Sequence, residues 1–347
     1  MTMSFFRNVF NPTRAESIVL IDISAGSVAG AYAHYREGGM PSLLYTRRLP
    51  IETRKDEPHE LAMLRALGIL GEALVREGAP SLTRATGSGR ADAILVSVDA
   101  PWQETKVRTE SFERETPFTF TKRMVATALG KTSVIPEGKV LADESITGTI
   151  LNGYETREPY GKKTQRASIV ILTSLIDKKV SMGIAETLRG LFHTKNVLSI
   201  AGSSLRYQAM RTAFPHDRDA LILDAIGPLI SVAFVRKDLL VAVIELADAV
   251  GTDIDSWVKK VTDEFTELAK EYPLPRTIFL LAQEQNFSLL EQTLRDAQLG
   301  KLWLSNTPPK IVPVRTGHLS SSVRQITTSP PDLALLLMTL YWQHHLK

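Results

Sequence analysis

The chain has 347 residues, more than one ordinary hydrophobic core accommodates, so two or three domains are expected. Its 44% hydrophobic and 23% charged residues are the mix of a globular protein, and a net charge of +3, with no basic stripe interleaved with aromatics, does not point to nucleic acid. It has no cysteine, which excludes disulfides, thiolate metal ligands and thiol nucleophiles and fits a reducing compartment.

Residues 1–14 read MTMSFFRNVFNPTR, without the apolar core of a signal peptide. Phe5, Phe6, Val9 and Phe10 cluster on one side of a helical turn, with Arg7 and Arg14 available to anionic headgroups, and Pro12 ends the turn. This short tail is expected to touch a membrane or a membrane-bound partner. No stretch reaches the roughly 18 to 20 apolar residues of a membrane span. The longest, Leu333–Trp342, reads as a buried helix. The expected location is cytoplasmic, peripheral on the inner face of the membrane.

Three short apolar runs follow, Ile18–Ile23, Val28–Tyr35 and Ser42–Arg48, split by Ser24-Ala25-Gly26-Ser27 and by Gly38-Gly39, and they predict a three-strand meander. Leu61, Leu64, Leu67, Leu74 and Val75 predict a helix with these residues on one face. The polar stretch Pro80–Arg90 reads as a loop and Ala93–Val98 as a buried strand. From Trp102 to Ser204 the character changes: helix Thr121–Leu129, extended Lys139–Leu151, strand Ser168–Ile176, helix Lys178–Phe192 and strand Val197–Ala201. Helix Leu205–Phe214 leads back to strands at Leu221–Leu223, Leu229–Val235 and Leu239–Leu246. A helix from about Asp253 to Tyr272, strand Thr277–Ala282, helix Ser288–Leu299, strand Lys310–Val314 and helix Asp332–His345 complete the chain.

Strand, strand, strand, helix, strand therefore occurs twice, with Asp22 and Asp224 at the end of the first strand of each pass. The expected architecture is α/β with two RNase H-like lobes. Residues 15–100 with 205–218 form the first lobe, 101–204 an inserted α+β module, and 219–347 the second lobe.

A strand ending in aspartate, followed by a tight small-residue turn, exposes backbone N–H groups beside a carboxylate. Two such hairpins face to face suit the phosphates of a nucleotide, with the carboxylates reaching Mg²⁺ through water. The candidate residues are Asp22, Ser24, Gly26 and Ser27 in the first turn and Asp224 and Gly227 in the second. The second turn, Asp224-Ala225-Ile226-Gly227-Pro228, carries no hydroxyl, and Pro228 removes an N–H donor. Gly130-Lys131-Thr132 and Gly161-Lys162-Lys163-Thr164 mimic the end of a P-loop but lack its spacing and its strand. No nucleophile elbow and no metal-binding histidine spacing occurs, and His344 and His345 read as solvated.

The order of elements resembles the actin-like superfamily, and within it the bacterial cell-division (FtsA) and type IV pilus-assembly (PilM) branch. Asp22-Ile23-Ser24-Ala25-Gly26-Ser27 is similar to that family's first phosphate hairpin, and Ala220-Leu221-Ile222-Leu223-Asp224 to the strand entering the second. Leu151-Asn152-Gly153-Tyr154, Gly161 and the strand-helix Ser168–Phe192 resemble the middle of its SHS2 subdomain. The resemblance implies an FtsA-like scaffold or adaptor in cell division at the inner face of the membrane rather than a working enzyme, with a PilM-like pilus-assembly platform or an ATP-binding actin-like protein as the alternatives. Its implied partners are the FtsZ tubulin homologue in a division role or a pilus inner-membrane protein in an assembly role. Mg-ATP is the implied cofactor. Three departures imply that ATP binding, hydrolysis and polymerisation are reduced or lost: Ser24 for the expected glycine with the altered second turn, Ala282-Gln283-Glu284-Gln285-Asn286 for the adenosine-side glycines, and a single helix between Leu246 and Thr277.

Overall fold

The computed structural model describes residues 16–130, 135–156, 158–246 and 254–345. The tail residues Phe5, Phe6, Val9 and Phe10, Asp253 at the predicted start of a helix, and Lys131 and Thr132 lie outside them.

β1 (Glu16–Ile23), β2 (Ser27–Tyr35) and β3 (Ser42–Pro50) form the antiparallel meander that the turn signals predict. β1 is buried along its whole length, as its nearly unbroken apolar run requires of a strand covered on both faces. Alternate residues serve different cores: Val19, Ile21 and Ile23 face one, Ile18 and Leu20 the other.

α1 (His59–Ala73) covers the first of these faces with Met63, Ala66, Leu67 and Leu70. Leu61 and Val75, expected on the buried face, are instead exposed. Spacing by threes lags the helical repeat by about 60° each step, so that series spirals off the core. A wider π-type turn, Leu74–Gly78, leads into α2 (Ala79–Thr86), where a loop over Pro80–Arg90 was expected. Pro80 has its φ preset for a helix's first turn, the Thr83 hydroxyl donates back to the Ala79 carbonyl (3.0 Å), and Gly87 ends the helix at φ +78°.

β4 (Ala93–Val98) pairs parallel with β1. β5 (Gln103–Thr119), α3 (Lys122–Leu129), β6 (Lys139–Leu151), β7 (Tyr154–Glu155) and β8 (Lys163–Asp177) then build a separate sheet in the order β5-β8-β6-β7. β5 has no counterpart in the sequence reading, because QETKVRTESFERETPFT is polar on both faces. It is held by its ladder to β8, with Val107, Phe112 and Phe118 packed against neighbouring cores. α4 (Lys178–Phe192) packs on α1, and β9 (Val197–Ala201) pairs parallel with β4. The stretch 101–204, expected as one inserted module, thus holds four strands in a sheet of their own, while α4 and β9 complete the first sheet.

α5 (Gly202–Ala213) leads to β10 (Ala220–Ala225), β11 (Ile230–Arg236) and β12 (Leu239–Leu246), with α6 (Ile254–Glu271), β13 (Thr277–Ala282), α7 (Phe287–Asp296) and β14 (Lys310–Pro313) after them. This second sheet runs β12-β11-β10-β13-β14, the same order as β3-β2-β1-β4-β9 in the first. α6 covers it with Trp257, Val261, Phe265 and Leu268.

The chain then returns to the first sheet. β15 (Arg324–Gln325) pairs with β3, and α8 (Leu333–His345) packs on α5 and against β1 and β2. The Tyr35 hydroxyl donates to the Thr339 carbonyl (3.1 Å) and the Trp342 indole to Glu16 (3.4 Å). Residues 219–347 therefore do not all belong to the second half. α8 is buried on nearly every side, and an all-round apolar helix finds cover only between layers. One core runs continuously from the inner face of the first sheet through α5 and α8 into the second unit.

Candidate functional site

The duplicated topology brings the two aspartate hairpins together. Asp22 is the penultimate residue of β1, registered against Ala29 and Ser97; Asp224 is the penultimate residue of β10, registered against Ser231 and Leu281. Both meet the guanidinium of Arg206 on α5. Its Nη1 and Nη2 donate to the two carboxylate oxygens of Asp99, each at 2.7 Å. Its Nε stands 2.7 Å from Asp224 Oδ2, close as an ion pair but not aligned as a hydrogen bond, and Nη2 lies 3.6 Å from Asp22 Oδ1.

Arg48, on β3, makes a second set of contacts. It donates to Asp22 (3.0 Å), to both oxygens of Asp332 (2.7 and 3.1 Å) and to the Ser27 hydroxyl (2.7 Å). Asp332 in turn accepts from the backbone N–H of Leu335 in the first turn of α8 (3.2 Å).

Burial pushes the carboxyls of Asp22 and Asp224 up; Arg48 and Arg206 pull Asp22 back, and Arg206 does so for Asp224. Burial alone would lower Arg206, but the charges of Asp224 and Asp99 outweigh it and keep the guanidinium cationic. Glu245 on β12 lines the same space, and its carboxyl is raised to about 7, chiefly by burial.

Several groups of the turns are bonded within the protein. The Ser24 amide and hydroxyl both donate to the Ser27 carbonyl (3.0 and 3.1 Å), Ile51 N donates to the Gly26 carbonyl, and the Trp102 indole donates to the Ser24 carbonyl (3.2 Å). In the second turn Ile226 N donates to Asp224 Oδ1 (3.0 Å) and the Gln283 amide donates to the Ile226 carbonyl (3.2 Å). The two turns also touch: a β-carbon added at Gly26 would stand 3.0 Å from Pro228 Cγ, and one at Gly227 would stand 3.4 Å from Ser24 Cβ. The cavity left beside them, lined by Ser24, Asp99, Arg206, Asp224 and Glu245, has a volume of about 30 Å³. A larger cavity of about 580 Å³ adjoins the same site, lined by Arg48, Ile226, Gln283 and Asp332 among others.

All six predicted site residues are thus in one place, Asp22, Ser24, Gly26 and Ser27 on one side and Asp224 and Gly227 on the other. The reading missed Arg48, Asp99, Arg206, Glu245 and Asp332. Asp99 had a signal, since it directly follows the strand β4, which is parallel to β1. Arg206 had a weaker one, a lone charge in the small and apolar run AGSSLRYQAM. The P-loop mimics stand apart: Gly130 caps α3 and Gly161 sits at φ +81° in a turn before β8. His344 is exposed. No group of histidines and carboxylates suited to a metal ion occurs among the described residues.

No family model matches the chain, and no curated protein does. Among solved structures, a PilM–PilN type IV pilus biogenesis complex superposes with a TM-score of 0.59 at 15% identity, covering 95% of this chain and 98% of that one. A Bacteroides thetaiotaomicron protein with an actin-like ATPase fold and unknown function gives 0.47 at 8% identity, covering 93% and 95%. The ethanolamine utilization protein EutJ from Carboxydothermus hydrogenoformans gives 0.40 at 12%, covering 96% and 92%. With two sheets of identical strand order facing across α5 and α8, this is an actin-like fold. Within that class the chain is similar over nearly its whole length to the pilus protein of the PilM–PilN complex. No helix among the described residues is long and apolar enough to cross a membrane.

Proposed function

We propose that this protein is a non-hydrolysing actin-fold scaffold of the pilus-assembly kind, which works by holding a protein partner and binds Mg-ATP weakly or not at all. The observation that carries this is the contact between Gly26 and Pro228: the two hairpin turns that would cradle phosphates rest on each other and leave little space beside Arg206. Opening that space for a triphosphate would break the Arg206 bridge between Asp99 and Asp224, at a cost of several kcal/mol.

A scaffold needs a surface for its partner, and a groove of about 810 Å³ offers one. β6 lines it with Ser145–Thr149, facing Tyr207, Gln208 and Arg211 of α5. β6 pairs with β8 along one edge; on the other, among the described residues, Ile150 and Leu151 pair with β7, the Thr149 carbonyl accepts from the Thr156 amide (3.0 Å) and the Thr147 carbonyl from the Tyr207 hydroxyl (3.5 Å). An extended segment of a partner would lie in the groove against the polar groups of β6 and α5. The similarity to a complex of two pilus proteins supports this reading over a division role with the FtsZ tubulin homologue, for which no such observation exists.

Two measurements test it. Calorimetric titration with Mg-ATP is expected to give no saturable heat; micromolar binding lost in Asp22→Ala would return nucleotide chemistry to the cleft. A labelled peptide from the cytoplasmic segment of a pilus inner-membrane protein of the same cell is expected to bind, and Gln208→Trp, which fills the groove, to weaken it at least tenfold. Equal binding by both chains would remove the groove from the proposal. Liposome co-sedimentation of the full chain against one starting at Arg14 tests the membrane role proposed for Phe5, Phe6, Val9 and Phe10. Equal partitioning would remove it.

A further inference from the structure

The middle of the cleft holds an arrangement that neither scaffolding nor partner binding requires. Carboxylates from both halves of the molecule, Asp22 and Asp99 from the first and Asp224 from the second, converge on one point. Their oxygens come from the ends of three different strands, and three like charges gathered there need a cation among them. The point is occupied by the Arg206 guanidinium, whose side chain is 5% exposed.

Arginine suits this place where lysine would not. Its planar fork serves Asp99 with two parallel hydrogen bonds and leaves the Nε edge for Asp224 across the cleft. A second, independent feature points the same way. Gly202, the first residue of α5, lies so close to this pair that a β-carbon there would stand 1.8 Å from Asp99 Oδ1 and 2.3 Å from Arg206 Nη1. Only glycine lets the start of α5 approach the bridge without displacing it.

We propose that Arg206 is a built-in cation that joins carboxylates of the two hairpins and latches the two halves closed with no ligand bound. Arg48 reinforces the latch on one side only, tying Asp22 to Asp332 at the start of α8, so the link from the first sheet to Asp224 depends on Arg206. In this view, Pro228 and the hydroxyl-free second turn are tolerated because no phosphate has to dock between the turns. The latch rests on the reading of the cleft as closed to nucleotide, but not on the choice of partner.

The chain has no cysteine, so a pair of spin labels at the exposed positions Glu72 on α1 and Leu289 on α7 reports the distance between the halves without background. The unsubstituted protein is expected to give one narrow distance. Arg206→Met is expected to broaden and lengthen it and to lower the thermal midpoint by roughly 5–10 °C. An unchanged distance in Arg206→Met would overturn the latch. Should that variant not fold, Arg206→Lys and Gly202→Ala decide: both keep the charge but lose the fork or its seat, and both are expected to widen the distribution. Unaltered distances in the two would equally overturn it. Mg-ATP binding by the unsubstituted protein would instead count against the scaffold reading, and the two failures remain distinguishable.

Discussion

The two halves share a strand order and an aspartate at the same register, yet they hold their turns by different means. In the first, Ser24 and Ser27 close the turn with their own hydroxyls, and Arg48 pins Ser27 and Asp22 from the neighbouring strand β3. In the second, the turn has no hydroxyl and β11 and β12 place no cation beside it; Asp224 depends on Arg206, which comes from α5. The outer faces differ as well: α1 and α4 share the covering of the first sheet, whereas α6 supplies Trp257, Val261, Phe265 and Leu268 to the second. Identical topology thus sets where a carboxylate stands but not what neutralises it.

The largest expected effect probes the unequal cover. Phe265→Ala should cost about 4 kcal/mol, because Phe265 is fully buried, and Leu70→Ala in α1 about 3 kcal/mol. Denaturant titration of both measures the difference, and a larger loss at Leu70 would reverse the ranking. Next comes the first half's own cation. Arg48→Met leaves Asp22 and Asp332 without their main partner and should cost about 2 kcal/mol, less than a fully buried pair because Arg48 is 23% exposed. Added Asp332→Asn should recover part of that loss; if it recovers none, the Arg48–Asp332 pair contributes nothing.

A smaller effect tests how the β5–β8 sheet is seated on the second half. Gly148 on β6 faces Leu239 of β12 so closely that a β-carbon would meet Leu239 Cδ2. Leu239 has room to turn only in part, so Gly148→Ala should cost about 1–2 kcal/mol and speed proteolysis within 103–177. Unchanged cleavage would mean that the contact is not needed to seat the sheet.

The smallest effect is on pH dependence. Glu16, beneath α8, has its carboxyl raised to about 7 by burial, against 4.5 ordinarily. A carboxyl that binds its proton more tightly when folded contributes stability below pH 4.5, and that contribution is lost as pH rises through about 7. Glu16→Gln should therefore leave stability at pH 4 nearly unchanged and raise it at pH 8, flattening the decline between the two. An equal effect at both pH values would place the cause in packing against Trp342.

Much of the frame was legible in the residues. The apolar runs around Asp22 and Asp224 predict β1, β2, β10, β11 and β12 closely, because a central strand buried on both faces must be apolar almost throughout. α6 was legible because Trp257, Val261, Phe265 and Leu268 keep true helical spacing. β5 was not, since its apolar residues are few among seventeen and much of its hold comes from the ladder to β8. α2 was hidden by its polar composition, although Pro80 and Gly87 mark its ends.

The sequence by itself determined the repeated unit, the place of each aspartate, and the poverty of the second turn in phosphate-binding groups, because these rest on neighbours along the chain. Tertiary structure alone decided that α8 returns to the first sheet, that Gly26 meets Pro228, and that Arg206 joins Asp99 to Asp224. Those contacts link residues far apart in the chain. Whether a lone arginine is solvated or becomes the cation at the centre of a cleft depends on which strand ends the fold brings around it.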